Sequence, residues 1–323
     1  MLSAEAKLLA STALSASYPV TAKLIYAADG APLSPSLLTA IRFSLMAGGA
    51  ASLMVGGGLN SNKDDDASTT ATTMTENASS GFWLAAAELG FWATAGAQCN
   101  TAALQQISVV RGTILLASVN ILSPSLSAVI GTSEEQRRVP VRVWAACVLA
   151  LASTVFALSD GTVTAAGMPS LQAGDEIMLG AAACYAMGQV RLSSLVQMHA
   201  APKLAAARLQ TQAACSLGFL PFALGGAGSS VGSRTELGAA VEWVSQVSAT
   251  QAGLIGFSAV VAVVGLLLQY EGQQVVPAPS AQPIYAASPI ISAIWAYLIL
   301  REPVSSSEVL GGIGISAAAL LAL

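Results

Sequence analysis

The sequence predicts an all-α membrane protein with about ten transmembrane helices, arranged as two inverted five-helix repeats. Three observations lead there: a scarcity of charge, apolar runs of spanning length, and a hexamer duplicated half a chain apart. Of the 323 residues, 54% are hydrophobic and 9% charged, whereas soluble domains carry about 25% charged residues. So few charges cannot cover a water-exposed surface, and the mean hydropathy of +0.67 agrees.

Taking about 20 apolar residues as one span, the first five segments fall near Leu8 to Ala28, Pro35 to Leu59, Phe82 to Leu104, Ser108 to Gly131 and Val141 to Leu158. The next five fall near Asp175 to Met198, Lys203 to Leu224, Gln251 to Tyr270, Pro279 to Leu300 and Glu308 to Leu323. They divide the chain into a first repeat over 1–160 and a second over 172–323. Leu8 to Val20 resembles a signal-peptide core, but Lys23 and Tyr26 continue the same helical stretch, so a retained first helix is expected.

Two stretches are too polar to be embedded. Asn60 to Ser80 is rich in Ser, Thr, Asp and Asn and reads as a flexible loop. It holds the sequon Asn77-Ala78-Ser79. Between Gly225 and Thr250, a Gly/Ser stretch precedes Leu237, Val241 and Val244, whose spacing suits an interfacial helix.

Composition also sets function classes aside. A net charge of -4 with 13 Lys and Arg leaves no basic surface for nucleic acid. Cys99, Cys147, Cys184 and Cys215 lie singly in apolar runs, and His199 is the one histidine, so neither a metal site nor a Ser/His hydrolase is expected. No phosphate-binding GxxxxGK[ST] loop is present to power an ATP-driven pump, and no cofactor is called for.

The repeat is the most informative feature. Ser123-Pro124-Ser125-Leu126-Ser127-Ala128 and Ser288-Pro289-Ile290-Ile291-Ser292-Ala293 share Ser-Pro-x-x-Ser-Ala at an offset of 165. Each copy is placed within a spanning helix, then followed by acids (Glu134 and Glu135, or Glu302) and a Gly/Ala-rich closing helix. Because five is odd, the second half enters the membrane from the opposite side, which gives an inverted repeat. With the N-terminus on the cytoplasmic side, internal loops hold Lys7, Lys63, Arg137, Arg138, Arg142 and Lys203, and external loops hold Arg234 and Arg301. That distribution satisfies the positive-inside bias, predicts no glycan on Asn77, and leaves the membrane open between a plasma membrane and an organelle such as a plastid.

The chain resembles the EamA family of the drug/metabolite transporter superfamily. The resemblance lies in LSPSLSAVIGTSEEQRRVPVRVWAACVLALASTVFAL and AASPIISAIWAYLILREPVSSSEVLGGIGISAAALLAL, each a Pro-containing helix, a loop acid and a Gly-rich closing helix. TAIRFSLMAGGAASL resembles the family's second helix, with its early arginine at Arg42, and GDEIMLGAAACYAMGQVRLSSL resembles the sixth. The resemblance implies ten helices around a central solute pathway. Tyr18-Pro19 stands where the family commonly has a Trp-rich pattern, and the second-to-third-helix loop is unusually long.

Ionisable groups in lipid cost several kcal/mol unless paired or facing water, which marks Lys23, Glu88, Arg111, Arg191, Arg208 and Glu271. Glu88, amid Leu84, Ala85, Leu89 and Phe91, could accept a substrate amine, carry a coupling proton, or pair with a basic residue such as Arg111. Lys23 and Glu271 could line the pathway or snorkel from helix ends. Arg111, beside Gln105, Gln106 and Ser108, could bind an anion or a lipid headgroup. Asn120 and Tyr285 each stand four residues before the repeat's proline and are candidate solute ligands. Pro124 and Pro289 are candidate gates, each removing a backbone donor within a helix. Small residues, including Gly48-Gly49, Gly311-Gly312, Gly314 and Ser316, suit close helix packing.

The expected function is secondary transport of a small organic solute by alternating access, with solute and membrane lipid as partners and a homodimer as an open option. A scaffold or regulator is the rival, and it predicts a centre filled by apolar side chains. An intramembrane lipid-modifying enzyme is a remoter one, since it needs an interfacial cluster of His, Asp or Glu.

Overall fold

In the computed structural model, the residues described are 3–29, 33–55, 74–131, 140–158, 172–196, 198–199, 201–225, 246–276, 284–285 and 287–322. Among them, all regular secondary structure is helical. The helices are α1 (Ala4–Ala16), α2 (Tyr18–Ala27), α3 (Pro35–Val55), α4 (Met74–Ala103), α5 (Val109–Leu116), α6 (Val119–Ile130), α7 (Val141–Leu158), α8 (Ala173–Leu195), α9 (Ala201–Gly225), α10 (Ala249–Val275), α11 (Ser288–Trp295) and α12 (Ser306–Ala322). A π-helical turn, Ala296–Leu300, extends α11. It ends at Arg301, whose φ of 56° is left-handed, a conformation that costs a non-glycine residue roughly 1–2 kcal/mol.

Local chemistry explains where these helices start. Ser3 accepts from the Ala6 N–H, and Ser108 from the Arg111 N–H, each at 3.2 Å. Ser248 and Gln251 form a reciprocal box at α10, and Gln172 and Asp175 another at α8. Each satisfies donors that the first helical turn leaves without partners. At α5 the acceptor comes from far away: the Glu302 carboxylate takes the Val109 N–H at 3.0 Å.

Two expected spans are interrupted. The first divides at Ser17 into α1 and α2, and the fourth divides at Ala117–Ser118 into α5 and α6. Pro124 lies inside α6, as expected, but Pro289 stands in the first turn of α11 and does not interrupt a helix. A proline is tolerated there because no intrahelical bond requires its missing N–H. The polar stretch before the third span is also shorter than expected, since α4 already begins at Met74 and includes residues 74–80. Once a helix is nucleated, adding further turns is cheap. The expected interfacial helix around Leu237 to Val244 and the acids Glu134 and Glu135 lie outside the described residues.

Helix α7 packs on α12, α4 on α8, α1 on α10, and α9 on both α3 and α4; α10 also packs on α3, α6 on α8, and α11 on both α5 and α1. The α7–α12 contact is close because Gly311 and Gly314 lie against Ser153 and Ala157; a β-carbon on Gly311 would stand 2.9 Å from the Ser153 carbonyl oxygen. By contrast, Gly48, Gly49 and Gly312 have no such neighbour within 4 Å, so the close packing expected of them is absent.

The exterior of the molecule is apolar over much of its area, and polar side chains are buried among the apolar ones. Leu84, Val129, Val141, Val148, Val260 and Leu320 are more than 60% exposed, whereas Thr94, Thr101 and Ser216 are wholly buried. Buried hydroxyls bridge helices, as in Ser11 to the Gly265 carbonyl at 2.7 Å and Thr211 to the Ala86 carbonyl at 2.7 Å. Among the described residues, Val109–Ile130 and Ala249–Val275 pass a strict test of length and hydropathy for crossing a membrane. Only 33% and 39% of their apolar windows are buried, which is unlike core helices of a soluble protein.

Candidate functional site

The helix interruptions face one space. A cavity of about 330 Å3 is lined by Ser17, Tyr18 and Pro19 at the α1–α2 break, by Ala117 and Asn120 at the α5–α6 break, and by Ser288 and Pro289 at the entry to α11. Pro19 and Pro289 stand in the first turns of α2 and α11, where no intrahelical bond needs their missing N–H, whereas Pro124 inside α6 withholds the helical hydrogen bond from the carbonyl of Asn120, a residue of the cavity lining. The α11 entry is fastened to the first break: the Ser292 hydroxyl donates to the Ala16 carbonyl at 2.8 Å.

The walls mix polar and apolar groups. Arg42 on α3 and Arg208 on α9 are the charged residues of the lining, accompanied by Tyr185, Asn100, Gln189 and Gln212. Arg42 is 8% exposed, and its guanidinium carbon sits 3.9 Å from the centre of the Tyr18 ring. The Tyr18 hydroxyl is held by Thr101 at 2.8 Å, which fixes the ring beneath the cation. Arg208 donates from Nη1 to the Tyr270 hydroxyl at 3.1 Å. Gly96 makes room for Tyr185, whose ring would meet an added β-carbon at 2.8 Å. Phe43, Met46 and Leu89 supply apolar surface.

The sequence-predicted residues divide into two groups. Asn120, Tyr285 and Pro289 reach this cavity, whereas Glu88, Arg111, Gln105, Lys23, Glu271 and Pro124 are not part of its lining. Glu88 pairs with Arg191 of α8, Oε1 to Nε at 2.5 Å and Oε2 to Nη2 at 2.9 Å. Its partner is thus Arg191 and not Arg111. Arg111 grips Asp175 with both forks, at 2.8 and 2.7 Å. Glu271 takes Lys7 at 2.7 Å, Gln105 donates to the Leu33 carbonyl at 3.4 Å, and Lys23 is partly exposed in α2. These polar groups are used in joining helices, and they do not converge with Asn120 and Tyr285.

In the sequence, Arg42 stands out only as a feature of the second helix, and Arg208 only as one ionisable group of several. A shared signal was available: Arg42 stands seven residues after Pro35 and Arg208 six after Pro202, each on the second helix of its half. Among the described residues, no group of His, Cys, Asp and Glu is arranged to hold a metal ion.

Residues 172–323 match the model of the EamA-like transporter family. That region belongs to the EamA-like transporter family. It is part of the drug/metabolite transporter superfamily, whose members are transporters. The EamA match of this region, the all-helical fold of the described residues and the apolar exterior are those of an integral membrane protein. No protein of curated function matches the chain. A solved crystal structure, described simply as that of a protein, is similar at a TM-score of 0.61 with 15% identity, covering 99% of this chain and 96% of its own. At that identity the likeness shows the fold alone, and it extends through the first half, beyond the EamA match.

Proposed function

We propose that the chain is a ten-span secondary transporter that carries a small organic solute by alternating access between two inverted five-helix halves. The observation that carries this reading is the convergence of two helix interruptions and the start of α11 on one cavity with two arginines in its wall. Irregular backbone within a membrane is tolerated where it lines such a cavity, and broken helices at the meeting of two repeats are where transporters hold their solutes.

The packing pattern supports the inverted halves. Number the spans so that α1 with α2 is the first, α5 with α6 the fourth, and α12 the tenth. Advancing a contact by five spans converts most of the extensive pairs into another observed pair, although fourth-with-fifth, fourth-with-tenth and first-with-fourth have no comparable counterpart among the described residues. The third-with-sixth contact (α4 on α8) becomes the eighth-with-first (α10 on α1). The seventh-with-third (α9 on α4) becomes the second-with-eighth (α3 on α10), and the fourth-with-sixth (α6 on α8) becomes the ninth-with-first (α11 on α1). Second-with-seventh, fourth-with-ninth and fifth-with-tenth return themselves, as pairs lying on a two-fold axis must. Asn120 and Tyr285 are equivalent residues of the two halves, and both line the cavity. A scaffold would fill its centre with apolar side chains, so an open cavity with Arg42, Arg208, Asn100 and Gln212 in its wall favours transport.

In this mechanism the halves rock about the cavity and no covalent chemistry occurs. Reconstituted protein should exchange at least one solute from a panel of anionic, neutral and cationic metabolites. Asn120→Trp, which fills the cavity, should abolish that exchange while the protein stays monodisperse. Wild-type protein that moves nothing across the whole panel would refute the reading.

A further inference from the structure

We infer that the solute is a small organic anion whose carboxylate or phosphate is clasped between Arg42 and Arg208, an inference that rests on the transport reading above. Among the described residues, both charged residues of the cavity lining are cations, and no Asp or Glu lines it. The carboxylates found nearest the helix interiors are committed elsewhere: Glu88 to Arg191, Asp175 to Arg111 and Glu271 to Lys7. Two uncompensated guanidinium groups in a lipid-embedded protein are expensive to maintain, and an incoming anion removes that expense.

The geometry of each arginine leaves donors free for it. Stacking on the Tyr18 ring occupies the face of the Arg42 guanidinium, while its N–H donors lie in the plane and point away from the stack. Arg42 is more than nine-tenths buried, and its Nε has no hydrogen-bond partner among the described residues. Arg208 gives Nη1 to Tyr270, yet its Nε is also buried without a partner. A planar oxyanion satisfies such a fork through paired N–H···O bonds.

The two arginines come from opposite halves. Helices α3 and α9, the second spans of their repeats, pack on one another, so Arg42 and Arg208 approach the cavity as near-equivalent residues across the proposed two-fold axis. An anion held by both touches each rocking half, and neither side of the cycle leaves it without a cation. Phe43, Met46 and Leu89 offer apolar surface to the organic part of the solute, which favours an organic anion over an inorganic one.

The test uses full-length protein in nanodiscs and in proteoliposomes, with benzoate, malate and phosphoenolpyruvate as anions, glucose, uridine and choline as other probes, and chloride at matched ionic strength. At least one anion should raise the melting temperature and exchange across the vesicle. Arg42→Gln and Arg208→Gln should each weaken that anion's binding by about ten- to hundredfold, the range expected when a hydrogen bond to a charged group is lost. Arg42→Lys retains charge and folding but loses the fork, so it should weaken binding less than Arg42→Gln.

Exchange confined to neutral or cationic probes overturns the anion inference and leaves transport standing. Anion binding that depends on both arginines, without exchange of any probe, upholds the clasp and refutes transport. Failure of every anion to bind, or equal binding by wild type and both Gln variants, overturns the clasp.

Discussion

Replacing Asp175 with alanine should destabilise the fold more than any other single removal of a carboxylate described above. Asp175 is wholly inaccessible, and its carboxylate receives Arg111 Nε at 2.8 Å, Arg111 Nη2 at 2.7 Å and the Gln172 N–H at 2.8 Å. Arg111 retains 13% side-chain exposure, so water replaces the missing carboxylate poorly. Breaking a buried pair by deleting one partner costs about 3–5 kcal/mol. In a chain of 323 residues each kcal/mol lowers the melting temperature by about 1.5 °C, so a fall of about 4–7 °C is expected. Thermal unfolding in detergent, followed by tryptophan fluorescence, measures it. The double variant Arg111→Met/Asp175→Ala should recover more than half of the loss, because a buried pair removed together leaves no stranded charge. Asp175→Ala within about 1 °C of wild type, or a double variant no better than the single, would refute the argument. Glu271→Gln is the contrast: its pair with Lys7 is 29% and 40% exposed, and screened pairs are worth about 0–1 kcal/mol.

Other expectations follow from the packing and the cavity. Gly311→Leu should cost about 1–3 kcal/mol by forcing α12 away from Ser153 and Ala157, whereas Gly312→Leu one residue along should stay within about 0.5 kcal/mol, as read by paired melting curves; equal effects would show that the α7–α12 approach is not tight. Cys184 lines the cavity with a free thiol. With Cys99, Cys147 and Cys215 replaced by alanine, a charged methanethiosulfonate should modify it from each side of the membrane, and Asn120→Trp should slow both reactions; a thiol unreactive from either side would speak against alternating access. Tyr18→Phe keeps the ring under Arg42, and Tyr18→Ala removes it, so titrating anion binding should show little change in the first and a loss of about three- to thirtyfold in the second, the value of a desolvated cation–π contact.

The fold was largely legible in the sequence, since spanning length and apolar content are local properties and each expected segment coincides with a helix or a pair of helices. The lining of the candidate cavity was legible only where duplication marked it, at Asn120 and Tyr285. Glu88 stood out by its depth in an apolar helix, but its partner lies 103 residues away, and no local pattern announces such a pairing. Arg111 similarly finds Asp175 over 64 residues. The faces of these helices are built from Ala, Gly, Ser and Thr, so little contrast distinguishes a wall of the cavity from a helix contact. Arg42 and Arg208 were therefore visible as charges without being visible as a pair. The expected hinge at Pro289 misled for another reason: the sequence shows that a proline lies in an apolar run, but not that the helix starts there.

The acceptor for the first N–H of α5 has a consequence in time. Val109 and Glu302 are 193 residues apart, and chains grow at roughly 5–20 residues per second, so about ten to forty seconds of synthesis separate the donor from its carboxylate. Throughout that interval the leading amide of the fourth span lacks the carboxylate that accepts it in the finished fold. The first half therefore reaches its finished form only after the last loop of the second has been made.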